Sequence, residues 1–146
     1  MGKKRIIKKG EGAGGIEQEL KTRSTEKILK KKLTDAVLYV QSTFNNTLMN
    51  LKDQDGNTVI WLSSGSLGFK GAKKGTPFAA SKVAEFLADK ARMAGINSIN
   101  VIIKGVGAGR ESAIRALAAK GIEINNICDR TPTPHNGPKP PKPRRV

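Results

Sequence analysis

Two glycine-rich, basic segments of the chain have residue types suited to holding phosphate groups. The first spans residues 65–77 (GSLGFKGAKKGTP) and the second spans residues 104–112 (KGVGAGRES). Glycine allows backbone to approach backbone closely, and lysine and arginine supply positive charge. Each segment also leads into a predicted helix, whose first N–H groups and dipole favour an anion. We therefore predict phosphate contacts from both segments.

The second segment differs from nucleotide-cofactor loops in its spacing. It has the pattern GxGxG instead of GxGxxG, and it lacks the Lys-Ser/Thr end of a triphosphate loop. In the first segment, Phe69 could stack on a base or pin the loop to the core, and we favour the pin. We expect polynucleotide phosphates as ligands and no cofactor.

Residues 129–146 are proline-rich and basic. Six of the seven prolines lie after Cys128, and proline fits neither a helix interior nor a central strand. This tail is therefore predicted to be extended and solvated, in a polyproline-like conformation. Because its cations have no acidic neighbour after Asp129, a polyanion is their natural partner. The alternative is a disordered tail that only improves solubility.

The charge of the whole chain narrows the class of partner. The formal net charge is +15 over 146 residues, with 27 basic and 12 acidic side chains. Such an excess is typical of proteins that bind nucleic acid or an anionic membrane. No apolar run reaches the roughly 18 residues of a membrane span, so we expect a cytoplasmic protein with no membrane partner.

An enzyme is the main alternative class, because RNase H-like nucleases share the predicted order of elements, a meander followed by αβαβ. Such nucleases hold divalent metal with several convergent carboxylates. Here Asp53 and Asp55 lie in a predicted hairpin turn. Glu85 and Asp89 share one face of a predicted helix. The single cysteine, Cys128, is predicted to be a buried thiol, and we predict neither a metal site nor catalysis.

The elements that would position these segments follow from periodicity and turn residues. Short β-branched and aromatic runs predict strands, and Asn45-Asn46 predicts a tight turn in which positive φ is tolerated. Apolar residues at helical spacing, with Thr76 as N-cap and Gly95 as the stop, predict a helix. The predicted order is strand Ala36–Phe44, strand Thr47–Lys52, strand Thr58–Ser63, a helix from Thr76 to Gly95, strand Ser98–Lys104, helix Arg110–Lys120 and strand Ile122–Cys128.

This order predicts an α/β fold with a mixed five-stranded sheet, an antiparallel meander followed by αβαβ, and helices on its faces. We divide the chain into a basic, flexible N-terminal arm (residues 1–34), a single α/β RNA-binding domain (residues 35–128) and the basic C-terminal tail (residues 129–146). The domain is long enough for one hydrophobic core and too short for two.

Several motifs together identify a family. They are Phe44-Asn45-Asn46-Thr47, Gly68-Phe69-Lys70-Gly71, Gly75-Thr76-Pro77-Phe78-Ala79-Ala80, Lys104-Gly105, Gly107, Gly109-Arg110-Glu111-Ser112, Ile114-Arg115-Ala116-Leu117, Asp129, Thr131-Pro132, Pro134-His135-Asn136-Gly137, Pro140-Pro141 and Arg144-Arg145-Val146. In this set the chain resembles the bacterial form of small-subunit ribosomal protein eleven. The resemblance implies an RNase H-like fold without nuclease activity, bound to the platform of 16S ribosomal RNA (rRNA) in the small subunit. It also implies a position near the messenger RNA path at the Shine–Dalgarno helix, with ribosomal proteins seven and eighteen as neighbours.

The chain departs from that family at Val106 and Ala108, where prolines are usual, so this loop should be more flexible before binding. We expect no homo-oligomer. A non-ribosomal RNA-binding protein is the second interpretation, and a metal-dependent RNase H-like nuclease is the third. The predicted RNA-binding residues are Asn45, Asn46, Gly68, Lys70, Gly71, Lys73, Lys74, Thr76, Lys104, Gly105, Gly107, Gly109, Arg110, Arg115, Arg130, His135, Asn136, Lys139, Lys142, Arg144 and Arg145.

Overall fold

The computed structural model of the protein describes residues 35–142. The predicted N-terminal arm, with Arg144 and Arg145, lies outside the described residues. Within the described range the chain forms five strands, two α-helices and one short 3₁₀ helix. In chain order they are β1 (Asp35–Ser42), β2 (Thr47–Lys52), β3 (Thr58–Ser63), the 3₁₀ helix (Gly71–Gly75), α1 (Pro77–Met93), β4 (Ser98–Lys104), α2 (Gly109–Ala119) and β5 (Glu123–Asp129).

The strands form one mixed sheet in the order β3-β2-β1-β4-β5. β1 pairs with β2, and β2 with β3, in antiparallel fashion, whereas β4 lies parallel to both β1 and β5. The α/β class and the mixed five-stranded sheet predicted from the sequence are therefore confirmed.

β1 ends at Ser42, two residues earlier than predicted, because a turn begins at Thr43. The Thr43 N–H donates to the Asn46 carbonyl oxygen over 2.9 Å, and the Asn46 N–H donates to Thr43 Oγ1 over 3.1 Å. Of the described residues other than glycine, Asn136 alone has a positive φ. Asn45 and Asn46 thus make the predicted turn without a positive φ.

Both α-helices pack on the same face of the sheet, which corrects the expectation of helices on both faces. Alternate strand residues such as Leu38, Val40 and Leu51 are buried against Leu87 and Leu117 of the helices. The reason lies in the strand order: the β3–α1–β4 and β4–α2–β5 connections both move along the sheet in the same direction. Because such crossovers are right-handed, both helices must lie on one side.

The other side of the sheet carries no helix among the described residues, and we call it the open face. Side chains alternate across a strand, so the residues between the buried ones point to this side. The open face is formed by Val37, Tyr39, Gln41, Leu48, Asn50, Lys52, Trp61, Asn100, Ile102 and Lys104.

Helix α1 starts and stops where its sequence indicates. Thr76 Oγ1 accepts a hydrogen bond from the Ala79 N–H over 3.3 Å, and Pro77 occupies the first turn. Gly95 follows the helix with a φ of 83°, as expected for a glycine stop.

Cys128 is only half-buried, so the prediction of a buried thiol was wrong. It lies on β5, an outer strand of the sheet, where neighbouring Ile127 is 51% exposed.

Candidate nucleic-acid interface

The fold brings most of the predicted RNA-binding segments to one end of the sheet. β1, β3, β4 and β5 run in the same direction, so their carboxyl ends share one edge. Both α-helices begin at that edge. The turn 43–46, the loop 64–76, the loop 105–108 and residues 130–131 therefore meet there, and we call this region the cationic end. Parts of the sequence up to about 90 residues apart are joined in this way.

The glycines of the second loop are used for contact with the protein's own backbone. The Gly107 N–H donates to the Ser42 carbonyl oxygen over 3.0 Å. A Cβ added at Gly105 would lie 3.0 Å from the Ser42 carbonyl carbon and closer still to its oxygen. A Cβ at Gly109 would lie 2.5 Å from Thr47 Oγ1. These glycines let the second loop pack tightly on the end of β1 and the start of β2.

The same packing occurs at the end of the first loop. A Cβ at Gly75 would lie 3.0 Å from the Phe44 carbonyl carbon. Both glycine-rich loops are therefore packed against the β1–β2 turn, where they contact different residues. The backbone segments that carry the cations of the two loops therefore lie side by side.

The first loop also presents open glycines and cations. Gly68 and Gly71 have φ values of 88° and 59°, and a Cβ at either would meet no atom within 4 Å. Lys70 and Lys73 are exposed and Lys74 is half-buried. Across the described residues, none of these three lysines forms an ion pair. These open glycines and unpaired lysines are compatible with the phosphate contacts predicted for this loop, which stay a prediction.

Phe69, in the middle of this loop, is half-buried and packs edge-to-face on Phe78, with ring centroids 6.1 Å apart. Phe78 is itself 64% exposed, and it is Leu67 of this loop that packs against the hydrophobic core, so the contact of Phe69 differs from the predicted pin to the core. Thr76, predicted to bind RNA, is already occupied as the N-cap of α1, and its hydroxyl donates to the Lys73 carbonyl oxygen over 2.8 Å. Its contact with RNA stays a prediction.

Arg110 is held by a small polar cluster that links the second loop to the start of the tail. Its guanidinium pairs with the Asp129 carboxylate and donates to the Gly105 carbonyl oxygen and to Thr131 Oγ1. The Gly105 N–H also donates to Thr131 Oγ1, over 3.2 Å. We call Gly105, Arg110, Asp129 and Thr131 the Arg110 cluster. Arg110 was predicted as a phosphate ligand, and the structure gives it this internal role first.

Asp129 is stabilised as a carboxylate within the cluster. Hydrogen bonds from the Thr131 side chain and from Arg110 lower the pKa of Asp129 from 3.8 to about 2. The Thr131 hydroxyl and N–H both donate to Asp129 Oδ1, over 2.6 and 2.9 Å. Asp129 therefore lies at the centre of the Arg110 cluster.

The remaining predicted cations are displayed to solvent. Lys104 and Arg130 are exposed and form no ion pair within residues 35–142. Arg115 pairs with Glu111 one helical turn away, but both side chains are highly exposed, so the pair is weak.

In the turn, Asn45 is exposed and Asn46 is half-buried. His135, Asn136, Lys139 and Lys142 lie on the exposed tail, which has neither helix nor strand in its described part. The extended, solvated conformation predicted for this segment agrees with that description.

The described acidic residues do not converge. No group of three or more His, Cys, Asp or Glu side chains within residues 35–142 could hold a metal ion. Asp53 and Asp55 lie at the β2–β3 turn, at the end of the sheet opposite the cationic end. Among the described helices, none is long and apolar enough to span a membrane.

Comparison with known proteins agrees with the geometry. The model of the family described as ribosomal protein S11 matches residues 36–145. The chain belongs to the ribosomal protein S11 family. It is 51% identical over 126 residues to the small ribosomal subunit protein uS11 of Solibacter usitatus, which covers 86% of this chain and 93% of that protein. It is 49% identical over 124 residues to the uS11 protein of Francisella tularensis subsp. novicida, which covers 85% of this chain and 96% of that protein.

Membership of the ribosomal protein S11 family confirms the resemblance recognised in the sequence motifs. It confirms that the chain is a structural ribosomal protein of the small subunit and not an enzyme, which removes the nuclease interpretation. The expected location on the cytoplasmic ribosome is confirmed with it.

Proposed function

We propose that this protein binds 16S rRNA in the platform of the small ribosomal subunit through its cationic end and its tail. The observation that carries the proposal is the convergence of the β1–β2 turn, both glycine-rich loops and the start of the tail on one edge of the sheet. Five cations there, Lys70, Lys73, Lys74, Lys104 and Arg130, form no ion pair among the described residues.

The charge and geometry favour recognition of backbone phosphates over reading of base sequence at this end. Lysines and arginines neutralise phosphates and fix the register of a protein on RNA, whereas base edges carry the sequence information. Because the two loops are packed on the β1–β2 turn, the segments that carry their cations lie side by side, which suits neighbouring phosphates arranged by folded RNA. Structured rRNA supplies such an arrangement, and shape-based contact is common in RNA recognition.

The finer parts of the proposal are supported by the family resemblance. They are a position near the messenger path at the Shine–Dalgarno helix, ribosomal proteins seven and eighteen as neighbours, and an RNase H-like topology for the domain. Crosslinking in assembled small subunits, followed by mass spectrometry, tests the two neighbours. Crosslinks confined to other proteins would contradict that assignment.

The salt dependence of binding tests the role of the first loop. If about six phosphates are engaged, affinity for a 16S platform fragment should fall on the order of 10³-fold between 50 and 200 mM salt. The double variant Lys70→Gln with Lys73→Gln removes two exposed cations, so the slope of log affinity against log salt should decrease by roughly 1.5 to 2.

The matched control is Lys82→Gln with Lys120→Gln, which removes the same charge from side chains that pair with Glu85 and Asp89. The control should change the slope by much less than the loop variant. Equal changes in the two variants would show that only net charge matters, and the proposed interface would be wrong.

Removal of residues 132–146 tests the tail. The described part of this segment is exposed, so its loss should weaken RNA binding and leave the melting temperature nearly unchanged. The cut leaves Thr131 in place because its side chain belongs to the Arg110 cluster. A large loss of melting temperature with undiminished affinity would contradict the proposed role of the tail.

A non-ribosomal RNA-binding role is separated from this proposal by sedimentation. The native protein should travel with 30S particles in a sucrose gradient at moderate salt. A protein found only in other ribonucleoprotein fractions would overturn the proposal.

A further inference from the structure

The open face of the sheet carries a row of side chains that the function described so far does not use. The strand register places Trp61 of β3 beside Asn50 of β2, Asn50 beside Tyr39 of β1, and Tyr39 beside Ile102 of β4. Trp61 is 64% exposed. Burial of so exposed an aromatic side chain against a partner would be favourable, because it removes apolar surface from water.

The row lines a cleft of about 340 Å³ on the open face. Its wall includes the rings of Tyr39 and Trp61, the amide of Asn50, and two lysines, Lys52 and Lys104. No acidic side chain among the described residues lines it. The cleft therefore offers aromatic surface, an amide and positive charge, without a group that would repel phosphate.

One side-chain atom of Asn50 lacks a hydrogen-bond partner among the described residues. This atom is Oδ1, and it is enclosed. Because Oδ1 is enclosed, a ligand in the cleft would reach it only after neighbouring side chains move. Asparagine is also a side chain that hydrogen-bonds to base edges.

The two lysines lie at opposite ends of the cleft, and one of them joins it to the cationic end. Lys104 ends β4 at the cationic end, and Gln41 of β1 lies beside it in the register. Lys52 lies at the other end of the cleft, with its Nζ atom 4.8 Å from the centre of the Tyr39 ring. An RNA strand held by the cationic end can therefore continue onto the open face between two cations.

We propose that the open face is a second RNA site, which binds unpaired nucleotides by stacking a base on Trp61 and pairing phosphates with Lys52 and Lys104. The inference rests on the proposed function. Aromatic side chains on a sheet, flanked by cations, are the features by which proteins hold single-stranded RNA. The acid-free lining and the continuity with the cationic end favour RNA over a protein partner.

The fluorescence of Trp61 reports on its own surroundings, because it is the only tryptophan in the chain. The full-length protein is titrated with an unpaired oligoribonucleotide of about ten nucleotides, a length within the range of single-strand sites. A parallel titration uses a duplex with the same number of phosphates. Binding is followed by fluorescence anisotropy of a dye on the RNA, and stacking by quenching of tryptophan emission. The unpaired RNA should quench Trp61, and the duplex should bind without quenching.

The variant Trp61→Ala should lower affinity for the unpaired oligonucleotide by roughly 5- to 150-fold, the range expected for loss of one base–aromatic stack. Its affinity for the duplex should stay the same. The matched control is Met93→Ala, which removes an apolar side chain that is 54% exposed at the far end of α1. The control should leave both affinities unchanged, and circular dichroism checks that both variants are folded.

The outcomes separate this inference from the function on which it rests. Binding of both RNAs without quenching, and without loss of affinity in Trp61→Ala, would overturn the open-face site and leave the cationic end intact. Absence of salt-sensitive binding to these RNAs and also to the 16S platform fragment would overturn both proposals. Quenching of Trp61 by a purified neighbouring ribosomal protein, but not by RNA, would show that the face is a protein interface and would overturn the inference.

Discussion

Replacement of Gly105 by alanine should destabilise the protein strongly, for two separable reasons. Gly105 has a φ of 99°, a conformation that costs an L-residue about 1–2 kcal/mol. The added Cβ would also lie 3.0 Å from the Ser42 carbonyl carbon and closer to its oxygen, and relief of such a clash costs about 1–3 kcal/mol. The free energy of unfolding should therefore fall by about 2–5 kcal/mol, measured by urea denaturation with circular dichroism.

Gly68→Ala is the matched control for this prediction. Its φ of 88° is nearly the same, but a Cβ there would meet no atom within 4 Å. It should therefore show only the conformational cost, about 1–2 kcal/mol. The difference between the two variants isolates the contact between the second loop and the end of β1. If both variants lost the same stability, the conclusion that Gly105 is required by this contact would be wrong.

Two further predictions concern the Arg110 cluster and helix α1. Ionised Asp129 has a pKa of about 2 in the folded protein against 3.8 ordinarily, so its contribution to stability is present above pH 3.8 and is lost as pH falls through about 2. The melting temperatures of wild type and Asp129→Asn should therefore converge between about pH 5 and pH 2, and a constant difference would contradict the cluster. Thr76→Ala should cost about 0.5–2 kcal/mol by removing the N-cap of α1, and Thr76→Ser should restore most of it. Thermal unfolding measures both, and equal losses in the two Thr76 variants would contradict the capping role.

Local patterns in the sequence were sufficient to predict most elements. The bounds of β2, β3 and β4 were predicted correctly, because alternating side chains and the turn residues Asp53 to Gly56 define them. The end of β1 was predicted two residues too late, since the strand propensity of Thr43 and Phe44 gave no sign of the hydrogen bonds that begin the turn.

The arrangement of the site depended on contacts that local patterns do not contain. The convergence of the loops requires β1 to pair with β4, which lies about 60 residues further along the chain. The position of both helices on one side follows from the strand order and not from any single element. The Arg110–Asp129 pair likewise exists because β5 lies beside β4. The basic residues could be recognised from composition, whereas their internal partners could not.

The position of β3 and β5 as the outermost strands has a consequence for the protein before it is assembled. Within residues 35–142 no further strand pairs with either of them, and bare strand edges are templates for association between copies of a chain. Mutual repulsion from a net charge of +15 opposes such association at low ionic strength. That repulsion shortens in range from about 10 Å at 0.1 M salt to about 3 Å at 1 M. Purification in concentrated salt, which is often used to strip RNA from basic proteins, therefore removes the charge repulsion that keeps these molecules apart.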